Sequence, residues 1–139
     1  MKSEKELLDL ANREGWSEIS YSQELLEEFI EKYQDKVNWA LISSYQKLSE
    51  SFIEKFKDRV RWECISQYQK LSEPFIEKYK DNVDWESISL YQKLSKSFIK
   101  KYKDKVVLDY NWTWISQCQK LSEPFIEKYQ NKVDWHWIS

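Results

Sequence analysis

The sequence predicts an all-α fold, an α-solenoid of tandem 23-residue helix-turn-helix repeats, and three observations point to it. Trp16, Trp39, Trp62 and Trp85 stand 23 residues apart, Trp112 follows after 27 and Trp135 after a further 23. Between the tryptophans a common unit, WxxISxYQKLSExFIEKYKDKVx, returns with its apolar residues at helical spacing. The 139 residues include one Gly and two Pro, too few for a fold built on tight turns. Neither helix of such a unit is long enough to stand alone in water. Each copy must therefore cover its apolar face against the copies before and after it.

A single repeat domain is expected over 1–139. It comprises a cap helix at 1–15, copies at 16–38, 39–61, 62–84, 85–111 and 112–134, and a partial copy at 135–139. In the cap, Ser3 is placed to start a helix that carries Leu7 and Leu10 inward and closes at Gly15. Helix A of each copy begins after Asn38, Asp84, Asn111 or Asp134, whose side chains suit a first helical turn. In the second copy the spacing of Trp39, Ile42, Tyr45 and Leu48 predicts one inward stripe. Helix B starts at Ser49, Ser72, Ser95 and Ser122, with Pro74 and Pro124 in the first turn, where a missing amide costs nothing. Phe75, Ile76, Tyr79 and Val83 form its apolar face, and Glu77, Lys78 and Lys80 lie on the remaining surface. Val107, Leu108, Asp109 and Tyr110 are an insertion before the fifth copy, expected in a loop. The chain stops inside a further helix A with Trp135, Trp137 and Ile138 uncovered. Either the array continues beyond this sequence, or the end meets a partner or a second copy.

Composition narrows the function. A net charge of −2 gives the whole chain none of the basic footprint of a phosphate-backbone binder. No apolar run reaches the length of a signal or membrane segment, and Cys64 and Cys118 are too few for a disulfide framework, so a cytoplasmic setting without membrane contact is expected.

The repeated unit resembles short helical-repeat proteins of bacteriophages, large DNA viruses and bacteria. The resemblance covers residues 16–139, with some twenty positions recurring in order. It implies a viral or mobile-element origin, and it transfers no activity, cofactor or catalytic residue to this chain.

Recurrence separates packing from chemistry, because a catalytic residue is needed once and a packing residue in every copy. Glu31, Glu54, Glu77 and Glu127 share one column, and Lys32, Lys55, Lys78, Lys101 and Lys128 the next, as expected of a solvated helix face. Gln23, Gln46, Gln69, Gln92 and Gln119 form a column that could hydrogen-bond adjacent turns or line a groove, the former being favoured. His136 has no second histidine with which to bind zinc or serve a nucleophile, and Cys118 and Cys64 lack CxxC spacing. No catalytic residue, metal site or cofactor is therefore expected.

Function is left to the positions that vary within the fixed frame. One and five residues after each Trp, a helical turn apart, stand Glu63 with Gln67, Glu86 with Leu90 and, five after Trp112, Gln117. Trp114 and Trp137 are tryptophans added to the frame, and Trp is enriched in binding hot spots. These seven residues are the candidate contacts for a protein partner, in one concrete form a host factor blocked by a viral protein. Two alternatives stay open. Lys93, Lys96, Lys100, Lys101 and Lys103 make the fourth copy basic, a place for nucleic acid to touch. The uncovered C-terminal end could also mediate self-assembly.

Overall fold

The computed structural model describes residues 1–106, and every regular element in that range is a helix. The chain divides into two compact units, Met1–Gln69 and Lys70–Ser139, the division falling inside the third copy. The first unit holds α1 (Glu4–Glu14), α2 (Trp16–Ser22), α3 (Glu27–Lys32), α4 (Trp39–Tyr45), α5 (Glu50–Lys55) and α6 (Trp62–Tyr68). The described part of the second holds α7 (Glu73–Lys78), α8 (Trp85–Tyr91), α9 (Lys96–Lys101) and α10 (Lys103–Val106). The array of tandem helical repeats is thus present, with an A helix of seven residues and a B helix of six in each of the four described copies.

The cap helix α1 starts with a capping box in which Ser3 and Glu6 satisfy each other's backbone amides. It ends at Gly15, whose φ of 100° is open to glycine alone without strain. Leu7 and Ala11 are its buried residues, while Leu10 is half-buried. Each B helix from α5 onward starts as the sequence predicts, with Ser49, Ser72 and Ser95 accepting from the amides of Phe52, Phe75 and Phe98. The B helices stop earlier than the apolar spacing suggests. α7 ends at Lys78, and Tyr79 to Val83 continue as hydrogen-bonded turns that still bury Val83.

Capping of the A helices is irregular. Asn38 accepts from the amide of Leu41, whereas Arg61 offers no acceptor and the carboxylate of Asp84 accepts instead from the Ser87 hydroxyl. What recurs from the second copy to the fourth is the inward stripe. Ile42, Ser43 and Gln46 are buried, as are Ile65, Ser66 and Gln69, and the half-buried Trp39 and Trp62 begin the same stripe. The spacing i, i+3, i+4, i+7 keeps these residues on one side of a helix. Tyr45, expected on that stripe, is instead 63% exposed. A step of three residues turns the helix by about 300°, so two such steps carry a side chain roughly 120° away from the starting face. Leu48 is buried, but from the connection that follows α4.

Within the first unit α1 packs on α2, α2 on α4 and α4 on α6, so A helices of successive copies lie side by side. Fully buried isoleucines, Ile19, Ile42 and Ile65 from the A helices and Ile30 and Ile53 from the B helices, fill the space between them. Trp16, Trp39 and Trp85 each pack on the B-helix rings of their own copy, and Trp39 and Trp85 also bond the turn before them. Trp39 lies against Phe52 and Phe56, with ring centroids 6.3 and 5.3 Å away, and its Nε1 donates to the carbonyl of Gln34 at 2.9 Å. In the second unit Trp85 repeats this against Phe98 and Tyr102 and donates to the carbonyl of Lys80.

Candidate partner-binding surface

The recurring polar residues turn out to be fasteners between copies. Gln46 is buried, and its Oε1 accepts from the amide of Leu25 at 3.0 Å while Nε2 donates to the carbonyls of Ser20 at 2.9 Å and Gln23 at 2.7 Å. Gln69 does the same one copy later for Leu48, Ser43 and Gln46. In the second unit Gln92 accepts from the amide of Leu71. All of these backbone groups lie beyond the ends of regular helix or in its last turn, where they have no helical partner. The buried serines form a second row. Ser20 donates to the carbonyl of Trp16 at 2.6 Å and accepts from the amide of Asn38 at 3.1 Å, and Ser43 accepts from that of Arg61.

A third row lies on the B helices. Glu27 accepts from both the amide and the hydroxyl of Ser49, at 2.7 and 2.9 Å, and Glu73 does so for Ser95. A ladder of ion pairs joins the neighbouring columns: Lys32 with Glu4 at 2.6 Å, Lys55 with Glu31 at 2.5 Å, and Lys101 with Glu77. Bonds from Lys101 and then Tyr102 hold the Glu77 carboxyl below its ordinary pKa, and Lys32 and Tyr33 do the same for Glu4. The matching ammonium groups of Lys101 and Lys32 are raised by their carboxylate partners. These side chains are about half exposed, so each pair adds little to stability.

Set against this frame, the candidate contacts fall on the outer sides of two A helices. Glu63 is exposed on α6 with Gln67 half-buried one turn on, and Glu86 is exposed on α8 with Leu90 half-buried one turn on. Each pair lies within a single helix and a single unit. Trp114, Gln117 and Trp137 lie outside the described residues, as do the insertion 107–110, His136, Cys118 and the uncovered C-terminal end.

Comparison with family models, curated proteins and solved structures finds no match to the chain. The repeat frame and its departures are thus the basis for reading function.

The lysines of the fourth copy divide into two kinds. Lys101 is engaged with Glu77 and lies 5.5 Å from the Tyr102 ring, whereas Lys93, Lys96, Lys100 and Lys103 are exposed and pair with no described residue. Cys64 is a half-buried free thiol on α6. Among the described residues no helix is long and apolar enough to cross a membrane.

Sequence reasoning missed one set of exposed groups. Tyr45, Tyr68 and Tyr91 are 63%, 56% and 57% exposed at the last residue of their A helices. The signal was present in their offset: each precedes the buried glutamine by one residue, so the two side chains leave the helix in different directions.

Proposed function

We propose that this protein is a non-enzymatic repeat scaffold that binds a protein partner through the variable positions of its A helices. The observation that carries this reading is the contrast between columns. Glutamine, serine and glutamate positions that recur join one copy to the next, whereas the pairs Glu63 with Gln67 and Glu86 with Leu90 differ between copies, each an exposed acid with a half-buried residue one turn on. A rigid frame presenting different side chains at equivalent positions is how repeat proteins achieve selective contact. Glu63 and Glu86 both bring an unburied acid, so the matching partner surface carries basic groups. Trp114, Gln117 and Trp137 extend the proposed contact set toward the C-terminus. The resemblance to viral repeat proteins supports a concrete form, a phage or viral protein acting in the cytoplasm by occupying a host factor.

The test is capture from bacterial lysate followed by mass spectrometry, using the full chain and the variants Glu63→Lys, Glu86→Lys and Leu90→Ala. A protein retained by the parent and lost from variants with unchanged melting supports the reading. Identical captures by parent and variants would remove these residues from the interface.

A further inference from the structure

The exposed tyrosines recur with the repeat although each is more than half exposed; of them Tyr45 leans on the Tyr21 ring, with centroids 5.7 Å apart. Tyr45, Tyr68 and Tyr91 each begin a Tyr-Gln-Lys triplet at the end of an A helix, and their hydroxyls bond no described residue. The lysines that close the triplets, Lys47, Lys70 and Lys93, are exposed and form no ion pair with a described residue. They differ in this from Lys32, Lys55 and Lys101, which are matched with glutamates. The acid nearest in sequence to Lys70, Glu73, is engaged elsewhere in holding Ser95. The first copy lacks the element, having Ser22 and Glu24 at the tyrosine and lysine positions.

The glutamine between each ring and cation makes the element rigid. Three hydrogen bonds pin Gln46, so the backbone that carries Tyr45 and Lys47 is fixed and both side chains face water. An exposed aromatic ring two residues along the chain from an unmatched ammonium suits a ligand with a planar group and a negative charge. Within one triplet, a ligand that uses both side chains offers a planar group and a charge together in one monomer. A single nucleic-acid strand does so, its bases stacking on rings and its phosphates meeting cations. An acidic peptide supplies the charges without a planar group at each residue.

We infer that the Tyr-Gln-Lys triplets ending at Lys47, Lys70 and Lys93 are contact elements for single-stranded nucleic acid. Each triplet acts as its own contact, independent of the protein-binding columns at Glu63 and Glu86. With a net charge of −2 the chain has no general attraction for phosphate, so binding depends on these local cations and weakens as salt rises.

The experiment titrates labelled oligo-uridine and oligo-deoxythymidine with the full chain at low salt, reading fluorescence anisotropy. Tyr45→Ala and Tyr68→Ala are each expected to weaken binding by at least about fivefold, the lower end of what one stacked base contributes. Lys47→Gln and Lys93→Gln are each expected to reduce the slope of log affinity against log salt by roughly 0.7, the value of one single-strand phosphate contact. Lys96→Gln and Lys100→Gln each remove the same charge from α9 and are expected to leave affinity unchanged. Circular dichroism confirms that each variant is folded, as substitution of exposed side chains should allow. Absence of binding by the parent overturns the inference, as does equal weakening by the α9 variants. Competition by poly-glutamate as strong as that by oligonucleotide also overturns it, in favour of an acidic peptide.

Discussion

Replacing Gln46 by alanine removes one fastener and leaves the isoleucine core in place. The buried amide of Leu25 loses its acceptor, at a cost of about 1–3 kcal/mol for an unsatisfied buried donor. The carbonyls of Ser20 and Gln23 each lose a bond of roughly 1 kcal/mol, while freeing the chain of an ordered glutamine returns about 1 kcal/mol of side-chain entropy. The expected loss is about 2–4 kcal/mol, a large part of the roughly 5–15 kcal/mol by which most domains are stable. Urea unfolding followed by tryptophan fluorescence measures it, with the slope checked because repeat arrays can lose cooperativity. Gln23→Ala is the control. Its side chain is half-buried and bonds Ser22 next door at 3.3 Å, so less than about 1 kcal/mol is expected. Gln46→Glu sharpens the test, because an ionised carboxylate can accept from Leu25 but meets two carbonyls where the amide donated. That variant should recover stability in acid relative to its parent, as protonation restores one donor. Equal losses for Gln46→Ala and Gln23→Ala, or a Gln46→Glu variant relatively more stable at neutral pH, would refute the fastener role.

Two further outcomes follow from burial and charge. Ile53→Ala should cost about 2–5 kcal/mol, as for a fully buried aliphatic side chain, whereas Tyr68→Ala should stay within roughly 1 kcal/mol; the same urea titration reads both. The Glu77 carboxyl is lowered by its bonds from Lys101 and Tyr102, so its contribution is complete above the unfolded carboxylate range and fades as pH falls through the folded value. Melting temperature measured against pH should therefore drop less steeply on the acid side for Glu77→Gln than for the parent, and an unchanged acid limb would contradict the pairing.

The frame was legible in the sequence because its signals are local. A tryptophan every 23 residues sets the copies, and Ser49, Ser72 and Ser95 mark helix starts through bonds to amides three residues on. The fasteners were less legible for a physical reason. Ser43 and Gln46 occupy core positions as polar residues, and their burial becomes sensible once the groups of another copy, 18 to 26 residues away, are in place. Following apolar residues alone replaced Ser43 and Gln46 by Tyr45 and so turned the stripe toward solvent. Of the candidate contacts, Glu63, Gln67, Glu86 and Leu90 could be found because they vary. Tyr45 and Lys47 could not be found that way, since recurrence marks them as structural until burial shows otherwise.

The claim that buried glutamines join the copies is tested most directly by amide hydrogen exchange at Leu25, Leu48 and Leu71. These residues lie outside regular helix, and each amide donates to a glutamine 21 residues later in the chain, Gln46, Gln69 or Gln92. Exchange as slow as that of the helical amides of Ile42, Ile65 and Ile88 is the expected result. Exchange at the open-loop rate of their neighbours Lys47 and Lys70 would contradict the account.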